Sequence, residues 1–176
     1  MAAVNIEGLK KSIRNIPDFP KPGILFRDIT TLLKDEKKFK AAIDALCAKY
    51  KSKTITKVAA VEARGFIFGG VIAYKLNAGF VPIRKKGKLP AEVWEITYDL
   101  EYGRDTLEIH RDALTTQDQV LIVDDLLATG GTTNAVCQLI KKSGAQIVAV
   151  EFLIELAGLK GRDKLKGYPV HSLLTF

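Results

Sequence analysis

The pattern of apolar and polar positions in the first fifty residues predicts two helices with a break between them. Apolar residues recur at helical spacing in residues 4–14, which predicts a short amphipathic helix, and again in residues 34–51, which predicts a longer one. Residues 16–23 hold three prolines and a glycine, and proline lacks the N–H group that regular structure needs. This segment is therefore expected to interrupt regular structure.

Beyond residue 56, short apolar runs alternate with amphipathic ones. We predict strands over residues 57–61, 79–83, 119–123 and 146–154, helices over 65–76 and 132–142, and an exposed hairpin over 92–98 and 106–110. Strands that alternate with helices favour an α/β fold with a mainly parallel sheet covered on both faces. Ligands of such sheets bind beyond the carboxyl ends of the strands. The loops after Val61, Ile83 and Val123 therefore form the candidate site.

Length and composition suit a single domain in the cytoplasm. The chain has 176 residues, enough for a sizeable core, and no apolar stretch that could span a bilayer, so no membrane partner is expected. The first residues lack the apolar segment of a signal peptide. Cys47 and Cys137 lie in apolar helical patterns and are expected to be buried thiols. His110 and His171 have no second ligand at suitable spacing, so no metal held by the protein alone is predicted.

The excess of positive charge favours an anionic partner. A formal net charge of +7 and a pI of about 9.4 suit a nucleic acid or a phosphorylated small molecule, although a lysine-rich solvated surface would have the same charge. Four cations fall within residues 84–88, directly after a predicted strand. An isolated run of this kind is usually a solvated loop, but on the ligand side of a sheet it can hold a pyrophosphate.

Residues 120–133 carry the strongest chemical signal. An apolar strand is predicted to end in two adjacent carboxylates, Asp124 and Asp125, followed by small and hydroxyl-bearing residues that lead into a helix. Glycines allow close approach of the backbone, and the N–H groups at a helix start bind anions, so a phosphate fits there. The carboxylates would repel that phosphate but can accept hydrogen bonds from a diol. We therefore expect a ligand with a phosphate at one end and a diol nearby.

Two common nucleotide-binding motifs do not match this segment. A Walker A loop needs a lysine after its glycines, and a dinucleotide fingerprint needs three spaced glycines; both are absent. An ordinary capped strand–helix turn accounts for one acid and one glycine, but not for the whole arrangement. Residues 123–132 instead resemble the phosphoribosyl pyrophosphate signature of the type I phosphoribosyltransferase family, and the other loops are similar to those of its adenine-specific members.

The resemblance covers essentially the whole chain. It implies an α/β fold with a mainly parallel twisted sheet flanked by helices, a small N-terminal hood in about residues 1–34 and a β-hairpin lid, all in a single domain over residues 1–176. It also implies purine salvage, in which the phosphoribosyl group passes from 5-phosphoribosyl-1-pyrophosphate to adenine and gives AMP and pyrophosphate. Mg²⁺ is the implied cofactor, held mainly by the substrate and water. A homodimer without a nucleic-acid partner is expected.

The resemblance also assigns residues to roles. The 5′-phosphate would be bound by Ala128, Thr129, Gly130, Gly131 and Thr132; the pyrophosphate by Glu62, Ala63, Arg64, Arg84, Lys85 and Lys88, partly across a dimer interface; and adenine by Leu25, Phe26, Arg27 and Leu126. The catalytic residues would be Glu101, Asp124, Asp125 and Arg64, with Tyr102 on the lid. The family usually has serine where this chain has Ala63, so no hydroxyl contribution is expected there.

Alternatives remain open for several of these residues. From the residues alone, Phe26 could belong to the core, Arg64 to the surface and Glu101 to a simple turn. Two other functions also compete. One is the same transfer to a 6-oxopurine, which needs a donor facing the base oxygen that the hood does not obviously offer. The other is a sensor of phosphoribosyl pyrophosphate that binds DNA, for which residues 1–22 are too few to form the added domain.

Overall fold

The structure, a computed structural model, describes residues 5–99 and 103–176. The chain divides into two compact units, residues 1–45 and 46–176. The first unit contains helix α1 (Ile6–Lys11), strands β1 (Arg14–Pro17) and β2 (Leu25–Asp28), helix α2 (Thr30–Leu33) and most of helix α3 (Glu36–Ala48). Helix α1 is shorter than expected at both ends: the Asn5 side chain caps its start, accepting from the Gly8 N–H at 2.8 Å, and strand β1 begins at Arg14, soon after its end.

Residues 16–23 were expected to interrupt regular structure, which was wrong for Ile16 and Pro17, because they belong to strand β1. Strands β1 and β2 pair antiparallel, with Ile16 opposite Phe26. The prolines are compatible with this hairpin because Pro17 ends a strand and the other two lie in the connection, where no ladder N–H is needed. Gly23 takes a left-handed φ of 83° in that connection, and its N–H donates to the Asp18 carboxylate at 2.7 Å.

The second unit is built on one mixed sheet. Its strands are β3 (Lys57–Val61), β4 (Gly79–Lys85), β5 (Val93–Asp99), β6 (Arg104–His110), β7 (Gln119–Leu127), β8 (Gln146–Glu155) and β9 (Val170–Thr175). Their order is β5-β6-β4-β3-β7-β8-β9. The ladders from β4 to β9 are parallel, whereas β6 pairs antiparallel with both β4 and β5. The mainly parallel α/β sheet predicted from the sequence is thus confirmed.

The helices of this unit follow strands of the sheet. Helix α4 (Arg64–Leu76) follows β3 and helix α5 (Gly131–Lys142) follows β7, while two 3₁₀ segments, Ala157–Leu159 and Gly161–Leu165, follow β8. The central strands are almost wholly buried: Val58, Leu121 and Phe152 have no exposed surface. Among the described residues, none of the helices has the length and apolarity needed to cross a membrane.

Two strands continue further than the sequence indicated, and both carry site residues. Strand β7 was expected to end at Val123, but it runs to Leu127 because the long strand β8 continues to pair with it. Strand β4 likewise runs to Lys85, because β6 pairs beside it with Lys85 opposite Leu107. The paired carboxylates and two of the clustered cations therefore lie on strands rather than on loops, which fixes their backbone positions.

Candidate active site

A cavity of about 380 Å³ lies at the carboxyl ends of strands β3, β4 and β7. It is lined by residues 61–64 and 124–133, together with Lys85, Tyr98, Asp105 and Leu107. The loops that follow parallel strands meet at this edge, as the α/β topology requires. The cavity therefore brings together the segments after Val61 and Val123, which the sequence marked as separate candidates, with one cation of the residue 84–88 run.

Two adjacent carboxylates lie in the wall formed by strand β7. The Asp125 carboxylate is 8% exposed and forms an ion pair with Arg64 Nε at 2.9 Å, while the Asp125 N–H donates to Asp124 Oδ1, also at 2.9 Å. Burial raises the pKa of both carboxyl groups, and the charge of Asp125 raises the pKa of Asp124 further. Such a pair gains most from a ligand that offers hydrogen-bond donors or positive charge, as a ribose diol or an oxocarbenium-like sugar would.

The start of helix α4 packs closely against these acids. A methyl group on Gly65 would lie 2.9 Å from Asp124 Oδ1 and 3.3 Å from the Val123 carbonyl oxygen. Glycine is therefore required for the first turn of α4 to approach strand β7. This close approach also places Arg64, the first residue of the helix, beside Asp125.

The segment between strand β7 and helix α5 has the geometry of an anion-binding loop. Gly130 takes a left-handed φ of 77° immediately before α5 begins at Gly131. The first N–H groups of a helix have no partners within that helix and favour an anion. The backbone of this loop lies directly on a second glycine: a methyl group on Gly161 would collide with the Ala128 carbonyl oxygen, and one on Gly130 with the Gly161 carbonyl oxygen.

Two further side chains stand beside this loop. The Tyr98 hydroxyl lies 3.2 Å from Thr132 Oγ1, within hydrogen-bond distance, and burial raises the pKa of Tyr98 so that its proton is retained. Lys164 Nζ would lie 3.9 Å from a methyl group placed on Gly131. An ammonium at this position adds positive charge to the start of α5, where an anion would bind.

Glu62 forms ion pairs with Arg84 and Lys88, two of the cations predicted to bind the pyrophosphate. Its carboxylate is 8% exposed and accepts from Arg84 at 3.1 Å and from Lys88 at 3.4 Å, and it also accepts from the Lys85 backbone N–H at 2.7 Å. Burial alone would raise the pKa of Glu62, but these donors outweigh it and lower the pKa. The peptide bond from Glu62 to Ala63 is cis.

Three of the four cations in residues 84–88 are divided between the cavity and Glu62, while Lys86 pairs with Glu95. Lys85 lines the cavity, whereas Arg84 and Lys88 are bound to the Glu62 carboxylate and do not line it. The Arg84 guanidinium also donates to the Lys88 carbonyl oxygen at 3.0 Å, which closes this loop on itself. The side chain of Glu62 is therefore a counter-ion of Arg84 and Lys88. Direct contact between Glu62 and a pyrophosphate is unfavourable, because both are negatively charged.

The residues predicted to bind adenine are split between the two units. In the first unit, Leu25 is 46% exposed, the Phe26 ring packs edge-on against Phe19 with centroids 5.1 Å apart, and Arg27 hydrogen-bonds the Asn15 side chain. In the second unit, Leu126 is half-buried and lines the cavity. Glu101 and Tyr102, predicted on the lid, lie outside the described residues.

Sequence reasoning missed several residues of the cavity. Asp105 and Leu107 were not singled out, and Tyr98 was included only in the predicted hairpin segment 92–98. The three residues lie on one face of the β5–β6 hairpin, because side chains alternate between the two faces of a strand. Tyr98 is opposite Asp105, and Leu107 follows Asp105 by two residues. Within residues 5–99 and 103–176, no three histidine, cysteine or acidic side chains cluster as a metal site would require.

Comparison with known proteins agrees with this geometry. A family model described as the phosphoribosyl transferase domain matches residues 30–173. An adenine phosphoribosyltransferase of Acidobacterium capsulatum is 55% identical over 174 residues, which cover 99% of this chain and 96% of that protein. The crystal structure of an adenine phosphoribosyltransferase from Thermoanaerobacter pseudethanolicus superposes with a TM-score of 0.95 at 51% identity, covering 98% of this chain and 100% of that one.

A third relative was solved with ligands. The structure of the Saccharomyces cerevisiae adenine phosphoribosyltransferase, in complex with adenine and an imino-altritol bisphosphate, superposes with a TM-score of 0.91 at 40% identity, covering 96% of this chain and 97% of that one. The fold, the acidic pair and the anion loop define a phosphoribosyltransferase. The identity over nearly the full length of these relatives goes further: the chain belongs to the adenine phosphoribosyltransferase family.

Proposed function

We propose that this chain is the enzyme that transfers the phosphoribosyl group of 5-phosphoribosyl-1-pyrophosphate to adenine, giving AMP and pyrophosphate in purine salvage. One observation carries the proposal: Asp124 and Asp125 line the same cavity as the anion loop that opens helix α5 and the cations Arg64 and Lys85. A ligand that uses all three groups has a phosphate, a diol and a second anionic group. Phosphoribosyl pyrophosphate carries these three groups.

The ribose 5-phosphate part of the substrate is assigned to the wall formed by β7 and α5. The 5′-phosphate accepts hydrogen bonds from the backbone N–H groups of residues 128–132 and from the hydroxyl groups of Thr129 and Thr132. Asp124 and Asp125 accept hydrogen bonds from the two ribose hydroxyl groups, which the raised pKa of each carboxyl group makes favourable. In this arrangement the same carboxylates lie near the sugar carbon at which positive charge develops.

The pyrophosphate is assigned to the opposite side of the cavity. Arg64 and the loop from Glu62 to Ala63 lie there, and the Lys85 ammonium faces the same space. Arg84 and Lys88 belong to this group through Glu62, which binds both. Positive charge at this position stabilises the leaving group as the bond from ribose carbon 1 to the pyrophosphate oxygen breaks.

Adenine is assigned to two sets of residues. In the first unit, Phe26 offers a ring face and Leu25 and Arg27 offer main-chain groups for the edge of the base. In the second unit, Leu126 offers an apolar surface in the cavity wall. The adenine nitrogen forms the new bond to ribose carbon 1, and its proton passes to Glu101 or to water.

Mg²⁺ and the assembly complete the proposal. Mg²⁺ bound by the substrate would supply charge neutralisation at the pyrophosphate, and the carboxylate oxygens of Asp124 and Asp125 suit its preference for hard ligands. A homodimer is favoured because apolar side chains remain exposed on α4 and β4: Tyr74 at 84%, Ile67 at 39% and Phe80 at 38%. The cytoplasm is the proposed compartment, where the buried thiol of Cys137, whose pKa burial raises to about 12, would stay reduced.

The decisive experiment supplies three bases separately. Purified protein with Mg²⁺ and phosphoribosyl pyrophosphate is mixed with adenine, hypoxanthine or guanine, and nucleotide formation is followed by chromatography. We expect AMP from adenine and no nucleotide from the other two. Product from a 6-oxopurine alone would overturn the base assignment, and absence of product with tight substrate binding would favour a sensor.

The acidic pair provides the matched variants for this assay. Asp124→Asn should lower kcat/KM by about 10- to 100-fold, because it removes a charged acceptor of a hydroxyl hydrogen bond. Asp112→Asn, an exposed acid on the turn after β6, is the control and should leave the rate unchanged. Equal rates for the two variants would contradict the role given to Asp124.

A further inference from the structure

Strand β6 contributes one carboxylate to the cavity that has no part in the roles assigned above. Asp105 Oδ2 lies 3.1 Å from Lys85 Nζ, with side chains 21% and 56% exposed, and both residues line the cavity. The hydrogen bond to Asp105 and its charge raise the pKa of Lys85, so the ammonium is fully charged. One of the cations proposed to hold the pyrophosphate is therefore already paired with an acid.

The sheet fixes the direction of this acid. Asp105 is directly opposite Tyr98 in the β5–β6 ladder, so the two side chains leave the hairpin on the same face. Tyr98 reaches Thr132 at the anion loop, and Asp105 reaches Lys85 on the pyrophosphate side. One cross-strand pair near the turn of the hairpin thus contacts both the anion loop and Lys85.

The two acids around Lys85 act on different parts of it. Glu62 accepts from the Lys85 backbone N–H at 2.7 Å, which anchors the main chain of strand β4. Asp105 holds the ammonium itself, which a bound pyrophosphate would also attract. A fixed carboxylate beside Lys85 in the cavity wall both competes for that ammonium and repels an incoming polyanion.

We propose that Asp105 is a positioning residue that holds Lys85 before pyrophosphate binds and competes with pyrophosphate for its ammonium, which weakens product binding and promotes release. The inference rests on the proposed function, because it takes pyrophosphate as the anion beside Lys85. It predicts that removing the charge of Asp105 strengthens pyrophosphate binding, the opposite of what loss of a merely structural contact would do.

The test measures pyrophosphate directly. Inorganic pyrophosphate with Mg²⁺ is titrated calorimetrically onto the wild-type protein and onto Asp105→Asn, and the KM values for phosphoribosyl pyrophosphate and adenine are measured alongside. We expect the pyrophosphate dissociation constant to fall about 3- to 10-fold in Asp105→Asn. The KM for adenine should stay unchanged. Asp105→Glu, which keeps the charge, should restore wild-type affinity.

The neighbouring lysine supplies a matched control. Lys86 pairs with Glu95 of the same hairpin at 3.0 Å, with side chains 64% and 50% exposed, but neither residue lines the cavity. Glu95→Gln therefore removes an equivalent ion pair and should leave pyrophosphate affinity unchanged. Thermal unfolding checks that each variant is folded, and Asp105→Ser takes the place of the asparagine variant if that one is not.

Two results would overturn the proposal: pyrophosphate affinity that falls or stays constant in Asp105→Asn, or a KM for adenine that rises together with that for phosphoribosyl pyrophosphate. Failure of the proposed function is a separate observation. A wild-type protein that forms no AMP from adenine would contradict the function while the pyrophosphate titration could still be interpreted. A titration that does not respond to Asp105 would contradict only the role of that residue.

Discussion

Replacement of Gly161 by alanine tests whether the packing of Gly161 against Ala128 fixes the position of the anion loop. Gly161 is buried under the loop, and its added methyl group would collide with the Ala128 carbonyl oxygen and lie 2.8 Å from Leu127 Cδ1. The first of these neighbours is backbone of the loop itself, so it can move away only by displacing the N–H groups that we propose bind the 5′-phosphate.

The magnitude follows from the cost of overpacking. Inserting a methyl group into a close-packed site costs about 1–3 kcal/mol. If the loop takes up that strain by shifting, this energy is lost from substrate binding, which corresponds to an increase in KM of about 5- to 150-fold. The assay is the KM for phosphoribosyl pyrophosphate and, separately, for adenine. We expect the first to rise strongly and the second to change little.

The preceding 3₁₀ segment, Ala157–Leu159, contains a matched control. A methyl group on Gly158 would meet nothing within 4 Å, so Gly158→Ala should leave both constants and the unfolding temperature unchanged. The reasoning is refuted if Gly161→Ala behaves like Gly158→Ala. A large loss of unfolding temperature without a selective rise in the KM for phosphoribosyl pyrophosphate would place the strain in the core instead of the loop.

Two stability predictions concern acids outside the cavity. The buried Tyr50 hydroxyl donates to Glu151 at 2.5 Å, so Tyr50→Phe should cost about 1–3 kcal/mol in urea unfolding; an unchanged free energy of unfolding would contradict the importance of this bond. The backbone N–H of Thr30 and then the Arg14 side chain lower the pKa of Asp28 from 3.8 to about 2, so its contribution is present above pH 3.8 and is lost as the pH falls through about 2. Asp28→Asn should therefore be less stable than wild type by about 2 kcal/mol near neutral pH and equal to it well below pH 2, as measured by denaturant unfolding.

Elements with a strong pattern could be predicted from the sequence. The apolar run at β3 and the helical spacing of α4 and α5 agree with the structure to within one or two residues, because local spacing alone determines which face is buried. The acids and glycines of residues 124–131 could be found for a similar reason: they lie next to one another in the chain. Asp124 and Asp125 both line the cavity, and their closeness in space follows directly from their adjacency in the chain.

Features that depend on pairing between distant segments could not be predicted. The extension of β7 to Leu127 requires a partner, and β8 supplies it from a later part of the chain. The place of Asp105 in the cavity depends on the register of the hairpin, which sets it opposite Tyr98. The ion pair between Arg84 and Glu62 joins the end of strand β4 to the loop after β3. Considered separately, the charges of these two segments indicate only an anion-binding site.

The hairpin of β5 and β6 is joined to the rest of the sheet by very little backbone. Its two strands pair with each other over seven residue positions, but β6 pairs with β4 at two, Arg84 with Glu108 and Lys85 with Leu107. One further backbone hydrogen bond, from the Lys86 N–H to the Thr106 carbonyl oxygen at 3.1 Å, follows this pairing. Segments attached by few hydrogen bonds open at a lower free-energy cost than the core. Amide hydrogens of the hairpin should therefore exchange with deuterium well before those of β7 and β8, and excess pyrophosphate, by engaging Lys85 at this narrow join, should alter that exchange first.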